Sequence, residues 1–223
     1  AVDMARAVIA PVFHPGRATR PEGTGPGVEP RSGVGAVMHT GRGYVLVVTS
    51  AAAGEGKTVL SGHLAVRLAR SGRRTLVIDT DVRRPRIHEL YGIDVGPGLG
   101  ELLLGEATLP EVTHPGPVPG IDVIPAGGGT PHAVSELLEH RLPGILRALR
   151  LAYDVILLDT APLLIAPETL TASRSADGVL LSVMRDVSRI PGVLASYQKL
   201  CSVNAPVLGA IVTGDSTIQY HGY

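Results

Sequence analysis

The sequence predicts an α/β fold, a doubly wound and mostly parallel sheet with helices on both faces. Three observations carry this. Apolar runs and helical segments alternate from Gly43 onward. The runs are continuous rather than alternating in polarity, which is the pattern of strands covered on both sides. Three of the acidic residues, Asp79, Asp81 and Asp159, fall at or just beyond the ends of such runs, where open α/β sheets gather ligands.

Residues 1–42 read as a flexible arm or linker. They are dense in Gly and Pro, including Pro11, Pro15, Pro21, Pro26 and Pro30, and cannot bury enough apolar surface to order themselves. The apolar patch 7–13 reads as part of a frayed terminus. The first strand is Tyr44-Val-Leu-Val-Val-Thr49, followed by a helix over 58–70 that the pair Ser71-Gly72 stops. Further strands are expected at 74–79, 121–125, 153–159, 178–183 and 207–212, with helices at about 133–151 and 188–203. A short packing helix is expected at 99–104. Pro143 is expected to kink or split its helix. Stretches 96–98, 115–120 and 125–131 read as surface loops. The order gives one ordered unit over 43–213 and a polar tail over 214–223.

Composition removes several function classes. The 223 residues hold 20 Lys+Arg against 20 Asp+Glu, so no electrostatic footprint for nucleic acid is present. No apolar run approaches the roughly 18–20 residues that span a bilayer, and no secretory signal is visible. One cysteine, Cys201, excludes an internal disulfide and a cysteine-rich metal site. Its neighbours predict a core position. It fits a reducing cytoplasm.

The run Ser50-Ala-Ala-Ala-Gly-Glu-Gly-Lys57-Thr58 lies between the first strand and the first helix. Strand, small-residue loop, Gly-Lys-Thr and helix in that order form a phosphate-binding loop. Small residues let backbone N–H groups converge on phosphate oxygens, and the helix N-terminus adds positive potential. The expected nucleotide-binding set is Ala52, Ala53, Gly54, Glu55, Gly56, Lys57, Thr58 and Val59. Lys57 brings a full charge to the outer phosphates, and Thr58 offers a hydroxyl to Mg²⁺. Carboxylates at the strand ends suit the same hard ion, directly or through its waters. The loop Asp79-Thr-Asp81-Val-Arg83-Arg84-Pro85 adds two arginine forks of the kind that recognise phosphate or form interfaces. His88 reads as a packed helix residue.

These runs carry a resemblance. Ala51–Thr58, Leu76–Pro85 with His88, and Val155-Ile-Leu-Leu-Asp-Thr-Ala-Pro162 resemble the bacterial tyrosine kinases of exopolysaccharide biosynthesis. Gly96–Gly105, Ile124–Gly127 and Ala176–Leu181 extend it, so that it covers about 43–213. The resemblance implies a P-loop NTPase fold and an ATP-dependent, autophosphorylating protein-tyrosine kinase that regulates polysaccharide chain polymerisation or export. It assigns Lys57, Asp79, Asp81 and Asp159 to catalysis, with Asp79 as proton acceptor. It assigns Thr58, Asp81 and Asp159 to the metal, with ATP and Mg²⁺ as cofactors. Tyr220 and Tyr223 become the phosphoacceptors, met between subunits of a homo-oligomer. A membrane polysaccharide co-polymerase is the implied partner, and the inner face of the cell membrane the implied place. The chain departs from its relatives at Thr213, where Asn is usual, at Glu168, where Asp is usual, and in having no Glu-x-x-Arg-x-x-Arg segment in 1–42. Two other readings stand beside this one. A non-catalytic ATP-binding regulator of the same machinery fits the sparse tyrosines. A partitioning-type ATPase would need a lysine where this chain has Ala52.

Overall fold

The computed structural model describes residues 8–10 and 42–214. Its strands are β1 (Val8–Ala10), β2 (Tyr44–Ser50), β3 (Thr75–Asp79), β4 (His114–Pro115), β5 (Ile121–Ile124), β6 (Val155–Asp159), β7 (Gly178–Met184) and β8 (Val207–Thr213). Its helices are α1 (Lys57–Arg70), α2 (Ile87–Tyr91), α3 (Leu99–Leu104), α4 (Leu109–Val112), α5 (Pro131–Leu149), α6 (Glu168–Arg174) and α7 (Ile190–Ser202). The strands form one sheet in the order β1-β8-β7-β2-β6-β3-β5-β4. The six strands from β8 to β5 run parallel, and β1 and β4 flank them antiparallel.

The three central strands are buried at every residue. Side-chain alternation splits them between two apolar layers. Val45, Val47, Leu76, Ile78, Ile156 and Leu158 meet α3, α5 and α7 on one face. Leu46, Val48, Val77, Val155 and Leu157 meet α1 and α2 on the other. Two covered faces explain the continuous apolar runs in the sequence. The expected sheet class and all six expected strands are present, with bounds shifted by two residues or fewer.

Four features differ from the sequence reading. Val8–Ala10, read as part of a frayed terminus, pairs with β8 through Val8↔Val212 and Ile9↔Ile211. The two-residue strand β4 and the short helices α4 and α6 carry too little periodicity to be read locally, while the sequence points to α2 only through His88. Cys201 is exposed rather than in the core, because α7 turns Leu200 inward and leaves the next residue outside. Pro143 does not split its helix, which runs unbroken from Pro131 to Leu149. Val134, Leu138, Leu142, Leu146 and Leu149 make one buried stripe along α5. That stripe anchors both halves against the sheet, and Glu139, whose carbonyl loses its partner at the proline, lies on the exposed side.

The stripe gives a direct test. Leu142→Ala should lower unfolding free energy by roughly 2–5 kcal/mol in urea denaturation, because Leu142 is fully buried. Pro143→Ala should raise the urea midpoint, since alanine restores the missing N–H in a helix that is already continuous. An unchanged or lower midpoint would show that the backbone around Pro143 is fitted to the ring.

Candidate nucleotide-binding site

β2, β3 and β6 end side by side, and their register sets the site. Val48 and Asp79 both pair with Asp159 across neighbouring strands. The chain leaving β2 becomes the small-residue loop and re-enters as α1. Gly54 (φ 82°) and Gly56 (φ 77°) take left-handed conformations that a side chain disfavours. A Cβ on Gly56 would also stand 3.0 Å from Met184 Cε. Glu55 is buried and braces the loop: its Oε2 accepts from the N–H of Ala52 at 2.7 Å, and its carbonyl accepts from Ser182 Oγ at 2.6 Å.

A cavity of about 810 Å³ opens over this edge. Ala53, Gly54, Gly56, Lys57, Thr58 and Val59 line one wall. Asp81, Arg83, Arg84 and Arg86 line another, and Ala161, Pro162, Ile165, Leu90 and Met184 add apolar surface. Of the expected run 52–59, Glu55 serves from beneath, and Ala52 does not line the cavity. Tyr220 and Tyr223 lie outside the described residues.

Asp159 is 1% exposed. Thr58 Oγ1 donates to its Oδ2 at 2.7 Å, and Ser61 Oγ donates to its Oδ1 at 2.9 Å. Burial pushes its carboxyl up to about 6, against the opposing pull of these hydroxyls and of Lys57. Asp79 is wholly buried. Its Oδ1 accepts from the N–H of Asp81, and its Oδ2 from the N–H groups of Arg86 and Ile87, each at 3.0 Å. Burial, then the nearby Asp159, pushes Asp79 up to about 7. Asp81 accepts from the N–H of Arg84 at 3.0 Å. Burial raises its carboxyl, while Lys57 lowers it. Arg83 is paired to buried Glu168 at 2.9 Å.

Lys57, Thr58, Asp81 and Asp159 therefore converge as the sequence predicts. Asp79 stands beside Asp159 but directs both oxygens to the backbone of the loop 81–87. Ser61 was missed, although it follows Thr58 by three residues on α1 and so shares its face. Glu168 comes from a distant segment, and no local signal tied it to Arg83.

The oxygen donors suit magnesium. The Thr58 hydroxyl is bonded to the Asp159 carboxylate and lines the cavity with Asp81, and this ion prefers oxygen ligands while keeping waters and substrate phosphates in its shell. Among the described residues no group of three or more His, Cys, Asp or Glu is placed to hold a metal ion.

Comparison with known proteins places this geometry. The AAA domain family matches residues 43–205. The kinase domain of the Escherichia coli tyrosine kinase ETK superposes with a TM-score of 0.76 at 33% identity, covering 84% of this chain and 75% of that one. The VpsO kinase domain gives 0.73 at 31% identity, covering 78% and 86%. In sequence, the tyrosine-protein kinase YwqD of Bacillus subtilis is 26% identical over 178 residues, which is 80% of this chain and 75% of YwqD. The tyrosine-protein kinase etk of Escherichia coli K12 is 31% identical over 179 residues. Fold and loop thus define a P-loop NTPase of the AAA domain class. Within that class the chain belongs to the family of bacterial tyrosine-kinase P-loop domains. It spans 24% of the length of etk and of the two Ralstonia relatives it matches. Among the described residues no helix is long and apolar enough to cross a membrane.

The raised carboxyls set a pH dependence. A carboxyl whose folded pKa is raised contributes stability while protonated, and that contribution is lost as pH rises through the folded value. For Asp79 and Asp159 the window runs from about 4 to about 7. The melting temperature of the ion-free protein should therefore fall between about pH 4 and about pH 7. Asp79→Asn should flatten that fall, and a profile that rises across this window in thermal melts would contradict the buried acids.

Proposed function

We propose that this chain is the ATP-dependent protein-tyrosine kinase domain of a system that controls exopolysaccharide polymerisation or export. The observation that carries the reading is the junction of Thr58 and Ser61 with buried Asp159, beside Lys57 and under the phosphate loop. The family's kinase domains supply the reaction class. By that likeness the chain would work in the cytoplasm at the inner face of the membrane, with a polysaccharide co-polymerase as partner.

The residues divide the work. Backbone N–H groups of residues 53–58 bind the phosphates. Lys57 neutralises charge on the group being transferred. Asp159 holds the Thr58 hydroxyl in place, and both it and Asp81 would hold Mg²⁺. When bound, that ion would offset phosphate charge. A tyrosine hydroxyl attacks the outer phosphorus in line, the bond to the leaving diphosphate breaks, and the hydroxyl proton passes to a carboxylate. Asp79, with its pKa near neutrality, is suited to take it.

A second reading, the non-catalytic ATP-binding regulator, is favoured by one observation. Both oxygens of Asp79 already accept backbone N–H groups. Purified protein incubated with γ-labelled ATP and Mg²⁺, with and without a membrane partner, separates the two. Phosphotyrosine supports the kinase, and nucleotide binding with no transfer under either condition supports the regulator. The partitioning ATPase is disfavoured because Ala52 cannot supply a lysine charge.

Lys57→Met should abolish nucleotide binding or turnover while thermal unfolding stays within a few degrees. Asp159→Asn and Asp81→Asn should each weaken the magnesium dependence of activity; wild-type dependence in both would leave these acids a purely structural task.

Tyr220 and Tyr223 are the proposed acceptors, reached between subunits because an attacking hydroxyl must be brought into line with the phosphate. Deleting 215–223 should remove most autophosphorylation, yet preserve ATP binding and transfer to a Lys57→Met copy that keeps its tail. Mass spectrometry that maps the label to Tyr44, Tyr91, Tyr153 or Tyr197 instead would refute this assignment.

A further inference from the structure

Arg83 and Glu168 form an ion pair that neither the phosphate loop nor the strand-end acids require. Arg83 Nε donates to Glu168 Oε1 at 2.9 Å. The Glu168 side chain is 5% exposed and that of Arg83 44%. Glu168 Oε2 is buried with no hydrogen-bond partner. Burying an ion pair offsets its desolvation only when the remaining lone pairs are satisfied. A carboxylate held through one oxygen is therefore a poor device for stability. Its consequence lies at the cavity instead.

With Nε engaged, the plane of the Arg83 guanidinium is fixed from behind, and two terminal nitrogens remain. Arg83 lines the same cavity as Gly54, Gly56, Lys57 and Thr58. Lys57 and Asp81 line it as well, Lys57 at the end of the phosphate loop and Arg83 on the loop that follows β3. The other arginines of this wall are held differently. Arg86 pairs with Glu89 at the surface, with both side chains more than half exposed. Arg84 engages Asp81 through its backbone N–H. Only Arg83 of these three is fixed by a buried acid, and a pre-oriented planar fork suits a phosphate.

We infer that Arg83, positioned by Glu168, contacts the third phosphate of a bound nucleoside triphosphate, so that the pair discriminates triphosphate from diphosphate. Glu168 acts through Arg83 and is a positioning residue. This inference rests on the nucleotide-binding reading above.

Calorimetric titration of the full chain with ADP and with a non-hydrolysable ATP analogue, both with Mg²⁺, tests it. The wild-type protein should prefer the triphosphate. Arg83→Ala and the isosteric Glu168→Gln should each cut that preference about tenfold, the scale of one charge-assisted hydrogen bond, while ADP affinity holds. Arg83→Lys should behave like Arg83→Ala, because a point charge lacks the fork. The double variant should lose no more than either single one, since the two residues act as a unit. An unchanged preference in either single variant, a multiplied loss in the double variant, or an equal loss of ADP and analogue affinity overturns the inference. Each of these leaves nucleotide binding standing. A wild-type protein that binds neither nucleotide overturns the nucleotide reading itself, and this inference with it.

Discussion

Two carboxylates, Asp79 and Asp159, lie across from each other on adjacent strands, both inside the protein. Desolvation and mutual repulsion oppose their ionisation. Much of the local structure answers that constraint. Thr58 and Ser61 reach from α1 to Asp159, and three N–H groups of the loop 81–87 reach back to Asp79. The hydroxyls tie the helix that follows the phosphate loop to β6. The N–H groups tie the arginine-bearing loop to β3. One electrostatic problem thereby fixes both walls of the cavity relative to the sheet. A bound divalent cation would relieve the same problem, which would link the acids' structural cost to the site's proposed chemistry.

The phosphate loop shows the complementary strategy. Its walls are backbone rather than side chain, which is why Gly54 and Gly56 adopt conformations closed to other residues. Glu55, expected from the sequence in the nucleotide-binding set, is turned under the loop, where it stiffens the turn through Ala52 and Ser182. Removing that negative charge from the cavity leaves Lys57 as the loop's dominant charge. The facing wall carries three arginines, and their separate anchoring gives them different freedom: one is fixed by a buried acid, one is paired at the surface, and one extends from a loop held by its backbone.

The remote edge of the sheet uses its ionic contacts for closure. Asp177 accepts from the N–H of Val45 at 2.7 Å and pairs with Arg150, which also donates to the Gly43 carbonyl. Tyr44 OH donates to the Asp177 carbonyl at 2.8 Å. These bonds gather the starts of β2 and β7 with the end of α5, far from the cavity at the opposite ends of the strands. Ligand-facing and structural polar groups are thus segregated to the two ends of the same parallel strands, as this architecture generally arranges them.

The sequence by itself determined the sheet, its six parallel strands and the convergence of Lys57, Thr58, Asp81 and Asp159. Each of those features is written locally: apolar runs of strand length, a loop of small residues between strand and helix, and acids at run ends. Tertiary structure decided what depends on partners distant in the chain. Asp79, the proton acceptor implied by the resemblance, has both oxygens engaged once the loop 81–87 folds back over it. Cys201 looked buried until the rotation of α7 turned it outward. Pro143 looked disruptive until one continuous apolar stripe held both halves of α5 on the sheet. Glu168 met Arg83 across 85 positions of sequence, a separation that no helical or strand period can report, because only packing of α6 against the sheet brings the two together.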